Sequence, residues 1–232
     1  LLVEGQLFPA KLVTTHAKEG QAPGEIWRGD LQVIDLKMGR YDAIASRFEA
    51  VAKTHSDLLR NGIQTQNKAF NDLIAEVEQV CMCSSAPMLI TGPTGAGKSH
   101  LVAQMYALRK SNELTNGAFV EVNCATLRGD NAMSTLFGHK KGAYTGAIAD
   151  RAGLLKEADG GILFLDEIGE LGLEEQAVLL RALEDKRFTP MGSDKQVASD
   201  FQLIAGTNRD LNKEVTAGRF RADLLARLNV WT

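Results

Sequence analysis

Gly92-Pro93-Thr94-Gly95-Ala96-Gly97-Lys98-Ser99 meets the phosphate-loop pattern G-x-x-x-x-G-K-[ST] at every required position. The apolar run Met88-Leu89-Ile90-Thr91 before it reads as a strand, and the segment from Ser99 to Lys110 reads as a helix. The pattern therefore stands in the strand–loop–helix setting it requires. Its glycines let the backbone turn several N–H groups toward one anion, and the helix that starts there adds its positive end. Lys98 is placed to reach the outer phosphates, and Ser99 to hold Mg2+ through its hydroxyl. These residues predict binding of a nucleoside triphosphate.

The stretch Gly160-Gly161-Ile162-Leu163-Phe164-Leu165-Asp166-Glu167 supplies the second half of such a site. Four apolar residues end in two carboxylates, as in a buried strand that delivers acids at its carboxyl end. Asp166 can orient Mg2+ and its waters, and Glu167 can polarise an attacking water. A third apolar run, Phe201 to Asn208, ends on Thr207 and Asn208, which are placed to sense a terminal phosphate. The alternating Phe119-Val120-Glu121-Val122-Asn123 reads as a strand with Asn123 at its tip, where a turn role is the simpler expectation.

The remaining chain is read in order. Trp27 to Leu36 leads into a strand, with Leu31–Leu36 as its apolar part, and residues 1–40 read as the end of a separate module. Tyr41, Ile44, Phe48, Val51, His55 and Leu58 recur at helical spacing, so residues 41–61 form a linker helix that either pairs with a copy of itself or packs on a neighbouring module. Asn61-Gly62 ends it, and a second amphipathic stretch runs from Phe70 to Val80. Leu136 to Ala147 reads as a surface loop in which Gly142 and Gly146 bracket Ala143-Tyr144-Thr145. Tyr144 there is either a contact tip or a ring folded back onto the core. Leu173, Ala177, Leu180 and Leu183 predict one apolar face of a covering helix, and residues 190–199 a polar loop. Arg221 and Arg227 would point about 120° apart on a continuous helix, and Asp223 is set to pair with Arg227 at i, i+4.

Composition narrows the class. The 232 residues carry a net charge of −3, which gives the whole chain no basic footprint for nucleic acid. Three cysteines without framework spacing argue for reduced thiols and a cytoplasmic setting. Cys81-Met82-Cys83 lacks zinc-site spacing. No run approaches the ~20 apolar residues of a membrane span, and no signal peptide is recognisable. A chain opening at Leu1 and stopping at Thr232 reads as a piece of something longer.

Taken together, these motifs resemble the AAA+ ATPase domain of bacterial enhancer-binding proteins, the activators of sigma-54 RNA polymerase. Gly142-Ala143-Tyr144-Thr145-Gly146-Ala147 is similar to that family's GAFTGA loop with Tyr for Phe, a more specific signature than the phosphate loop. The resemblance runs from about Gly62 to the end. It implies an α/β fold, a three-layer α/β/α domain over 62–232 with a mostly parallel sheet, which assembles into a ring, usually a hexamer, with ATP and Mg2+ between subunits. It assigns Asp166 and Glu167 to Walker B, Asn123 to a glutamate switch, and Thr207 and Asn208 to sensor I. It makes Arg221 and Arg227 arginine fingers supplied in trans, and the Gly142–Ala147 loop the contact with sigma-54. Gly62, Ile63 and His100 join Gly92–Ser99 as expected nucleotide contacts.

Two departures stand out. Most relatives have Gly-Glu-Ser-Gly-Thr-Gly-Lys-Glu at the phosphate loop, whereas Ser99 here restores the general pattern. The helical lid and the DNA-binding module would begin where the sequence stops, so DNA contact is expected only through that absent part. The variant loop, Asn123 to Asp130, and Trp27-Arg28-Gly29-Asp30 are similar to one subgroup, the RtcR-type regulators of the RNA-repair operon. In that subgroup residues 1–40 would end a CARF-like sensor of RNA ends. The alternative expectation is another AAA+ remodelling machine with a different client, or a binding module gated by nucleotide.

Overall fold

The computed structural model describes residues 65–127 and 130–229, together with the backbone of four short strands nearer the N-terminus. The chain divides into two units, Leu1–Ser56 and Asp57–Thr232. In the first, Leu2–Val3 pairs antiparallel with Gln6–Leu7, and Ala10–Thr15 pairs antiparallel with Gly29–Val33. The strand expected at Leu31–Leu36 thus starts two residues earlier, and its last part lies outside the described residues. The linker helix over 41–61, and the expected contacts Gly62 and Ile63, also lie outside them.

The second unit is built on four parallel strands: β1 (Met88–Thr91), β2 (Phe119–Asn123), β3 (Ile162–Asp166) and β4 (Gln202–Thr207). Their order across the sheet is β1-β4-β3-β2. The sequence explains the order. The runs Ile162–Leu165 and Leu203–Ala205 are apolar at every position and wholly buried, as central strands covered on both faces must be. Phe119–Asn123 alternates, with Glu121 and Asn123 exposed, which suits an edge.

Helices join and cover these strands: α1 (Lys68–Cys83), α2 (Lys98–Ser111), α3 (Asp130–Phe137), α4 (Leu154–Glu157), α5 (Leu173–Asp185), α6 (Leu211–Thr216) and α7 (Ala222–Leu228). Asn67 caps α1 by accepting the Phe70 N–H, and Ile74, Glu78, Cys81 and Met82 form its buried stripe. The buried Arg109 of α2 donates to the carbonyls of Cys81 and Ser84, closing orphan acceptors at the end of α1.

Three expectations are corrected. The covering face of α5 is Gln176, Leu179, Leu180 and Ala182, whereas Leu173 is half exposed. Gln176 turns the helix: its amide donates to Leu171 O at 2.7 Å and Arg219 O at 3.0 Å. Leu136 and Phe137 close α3 and are buried, so the Gly142–Ala147 loop starts later than Leu136. Residues 190–199 are not all loop, because Val197–Ala198 pairs antiparallel with Arg187–Phe188.

Candidate functional site

Parallel pairing brings Thr91, Asn123, Asp166 and Thr207 to one edge of the sheet, with Asn123 level with Asp166 and Thr207 level with Thr91. Ligands of open parallel sheets bind outside this carboxyl edge. Directly beyond β1 the chain turns through Gly92–Gly97. Gly95 and Gly97 take φ of 80° and 86°, and nothing lies within 4 Å of where a Cβ would stand on either. Gly97 is the N-cap of α2 and has no side chain to close the first turn. The first N–H groups of that helix are therefore left without a capping side chain and fit an anion. Ser99 is half-buried in the same turn.

Lys98, its side chain only 6% exposed, curls back over the loop. Its ammonium donates to Gly92 O at 3.2 Å and Pro93 O at 3.3 Å, and lies 3.9 Å from Glu167 Oε1. Glu167 takes a left-handed backbone, φ 52° and ψ 48°, immediately after β3. That turn directs its carboxylate at the loop, and Glu167 Oε2 accepts the Asn208 N–H at 3.2 Å. Asn208 completes the ring of contacts by donating through Nδ2 to Thr94 Oγ1 at 2.9 Å. Asp166 stays behind this ring, its Oδ1 accepting the Glu167 N–H at 3.0 Å. Burial first, then the charges of Asp166 and Glu167, push the neighbouring Cys124 thiol well above its ordinary range.

Thr94, Lys98, Asp166, Glu167 and Asn208 are thus brought together. The remaining expected residues make other contacts. Asn123 Oδ1 accepts the Ala125 N–H at 2.9 Å, the turn role that its position in the sequence also allowed. Thr207 is fully buried and its hydroxyl accepts the Arg209 N–H, so Asn208 alone faces the loop. His100 is exposed on α2. Arg221 is the N-cap of α7 rather than a residue within it, so the 120° separation does not apply. Its guanidinium forks onto both oxygens of Asp223, at 3.0 and 2.6 Å. That displaces the expected Asp223–Arg227 pair, and no carboxylate among the described residues pairs with the exposed Arg227.

Gly206 was not singled out in the sequence, although a glycine inside an apolar strand signals a close approach. A Cβ there would meet Asp166 Oδ1 at 2.6 Å and the Phe164 ring at 3.1 Å. Arg209 was missed as well. It ties the end of β4 to Glu170, and lies 3.7 Å from Glu214.

The Gly142–Ala147 loop stands on a short hairpin, Gly138–His139 against Arg151–Ala152. Asp150 clamps the stem, accepting from Lys140 Nζ at 2.6 Å and the Lys141 N–H at 2.8 Å, and these bonds hold its carboxyl below the usual range. Inside the loop, Gly142 N–H donates to Ala147 O and Ala147 N–H to Tyr144 O. A neighbouring turn braces it: Lys140 N–H donates to Met191 O, and Gly192 abuts Ala143. Tyr144 is folded back and half-buried, while Thr145 is exposed and Ile148, unnoticed in the sequence, is 85% exposed.

Comparison with known proteins bears on this arrangement. Residues 63–232 match the family described as the Sigma-54 interaction domain, and residues 1–62 match Regulator of RNA terminal phosphate cyclase. The chain is 55% identical over its whole length to the transcriptional regulatory protein RtcR of Escherichia coli K12, and spans 43% of that protein. It is 46% identical, over 99% of its length, to the anaerobic nitric oxide reductase transcription regulator NorR of Escherichia coli O6:H1, spanning 40% of it. Among solved structures, NtrX from Brucella abortus in complex with ADP is similar over 84% of this chain and 42% of its own, with 32% identity and a TM-score of 0.64. NtrX in complex with ATP gives a TM-score of 0.63 at 32% identity.

Proposed function

The chain belongs to the Sigma-54 interaction domain family, and on that premise we propose that it is an ATP-hydrolysing activator that remodels sigma-54 RNA polymerase through its Gly142–Ala147 loop. The observation that carries the reading is the path from Lys98 through Glu167 to Asn208 and back to Thr94 at one sheet edge. ATP supplies the phosphoanhydride that is cleaved, and Mg2+ offsets its phosphate charge.

The residues divide the work. The open first turn of α2 and the Lys98 ammonium receive the phosphates, the ammonium exchanging its bonds to Gly92 and Pro93 carbonyls for phosphate oxygens. Ser99 and Asp166 would hold Mg2+, which would offset charge on the phosphates. Glu167 polarises the attacking water, and Asn208, bonded to both Glu167 and the loop, reports whether the terminal phosphate is present. A ring of subunits, hexameric by the family's habit, would let Arg221 and Arg227 reach a neighbour's site. The matches of residues 1–62 and of RtcR support a role in controlling RNA-repair genes, with residues 1–40 ending a sensor of RNA ends and 41–61 linking it to the ATPase. Such work takes place in the cytoplasm, and no helix of the described residues is long and apolar enough to cross a membrane.

The test mixes the whole protein with sigma-54, Mg·ADP and aluminium fluoride and follows complex formation by gel filtration. A complex that requires the transition-state analogue and disappears in Thr145→Ala is the expected result. Hydrolysis of ATP with no complex would mean that the loop grips another client.

A further inference from the structure

Tyr144 is half-buried, its ring turned back onto the domain. The ring meets His139 edge-on, with centroids 5.2 Å apart and planes at 69°. Its hydroxyl lies 3.4 Å from Ser134 Oγ, and Ser134 Oγ lies 2.7 Å from His139 Nδ1. Ser134 on α3 is 1% exposed and His139 on the hairpin 8%. Among the described residues, these two side chains hydrogen-bond only to each other and to Tyr144. The chain of bonds thus runs from the body of the domain, through a buried serine, to the middle of the loop.

We infer that Ser134 and His139 are positioning residues that hold the Gly142–Ala147 loop down, so that Tyr144 faces a partner only after leaving them. This deepens the function proposed above and rests on it. The stem stays fixed by Asp150 on Lys140 and Lys141 whichever way the loop points. What is free to move is the segment between Gly142 and Gly146, where φ of 83° and 103° needs glycine. In the held position, Thr145 and Ile148 are exposed and Tyr144 is withheld. A nucleotide-driven shift must therefore break the Tyr144–Ser134 bond before the full tip is displayed.

Tyr144→Phe is the clean test, because it deletes the hydroxyl and keeps the ring on His139. Ser134 Oγ keeps its bond to His139 in that variant, so no buried polar atom is orphaned. Hydrogen–deuterium exchange of the whole protein without nucleotide would read the Gly142 and Ala147 amides, whose acceptors lie within the loop. Tyr144→Phe and Ser134→Ala should each raise their exchange at least about twofold, the low end of what one hydrogen bond makes, because 3.4 Å is long for an O–H···O pair. The double variant should exchange no faster than Ser134→Ala alone, which already removes the Tyr144 bond, and the β3 amides should be unchanged. Unchanged loop exchange in Tyr144→Phe, or additive effects, would overturn the inference. The readout needs no sigma-54. Raised exchange with no sigma-54 capture therefore defeats the proposed function and leaves the positioning role standing.

Discussion

Glu167 has a left-handed backbone, which costs a non-glycine residue about 1–3 kcal/mol and persists only where surrounding contacts impose it. Here Asn208 N–H and the Lys98 ammonium hold the carboxylate, while Asp166 accepts the residue's own N–H. Because Gln keeps the size and the acceptor, Glu167→Gln should bind nucleotide as tightly as wild type. Its turnover, measured by phosphate release, should fall by about 10^2-fold or more, since only the base is removed. Undiminished turnover would give the water to another residue. Gly206→Ala makes a different test, since the new methyl would press on Asp166 and Phe164. Overpacking of this kind costs about 1–3 kcal/mol, read as a lower urea midpoint, and the displaced Asp166 should weaken Mg2+ dependence of nucleotide binding. The acids were legible because a buried apolar run has no reason to end in two carboxylates unless something charged is met there. Gly206 was not, because sequence pattern marks a close approach without saying which side chain makes it. Asn208 and Thr207 could not be told apart for the same reason: only the register decides which of two adjacent polar residues faces out.

At the scale of elements, the two halves of the site depend on different supports. The phosphate loop and the acids ride on β1, β3 and β4, whose apolar runs were readable as strands, but their order across the sheet was not, since the apolar β1 is an edge. The Gly142–Ala147 loop instead rides on a two-residue ladder, too short to leave an alternation in the sequence, and for that reason Gly138–His139 was read as part of the loop. Its base is a crossing of backbones: a Cβ on Gly153 would overlap Gly138 N, Phe137 C and Leu136 O, all main-chain atoms with nowhere to go. Gly153→Ala should therefore splay the hairpin and lose sigma-54 capture. The phosphate loop contacts nothing in this hairpin among its hydrogen bonds, so nucleotide affinity should change less than about twofold, a few tenths of a kcal/mol. Equal loss of both, measured by nucleotide titration beside gel filtration, would mean that the alanine unfolds the domain rather than the loop.

For the whole molecule the question is how many chains make one site. Arg221 is occupied by Asp223 of its own chain, and Arg227 is exposed without a carboxylate partner among the described residues; neither bonds to the phosphate-loop residues of its own chain. Two such guanidinium groups near the end of the second unit make sense if a neighbouring copy uses them in a head-to-tail contact, which closes into a ring when the rotation allows. Sequence spacing alone could not decide this, since an arginine that serves another chain looks the same as one that serves solvent. Complementation can. Lys98→Ala lacks its own phosphate ligand but keeps its arginines, whereas Arg227→Ala keeps the phosphate site and lacks the arginine. Each alone should hydrolyse ATP about 10^3-fold or more slowly than wild type, the worth of an arginine finger at the low end. Mixed in equal amounts, about a quarter of the contacts in a random ring join an intact Lys98 site to an intact Arg227, so activity should return to that order. A mixture no more active than its parts would confine Arg227 to its own chain. Activity per chain that rises with protein concentration in wild type, and stays flat in Arg227→Ala, would show the same dependence from the side of assembly.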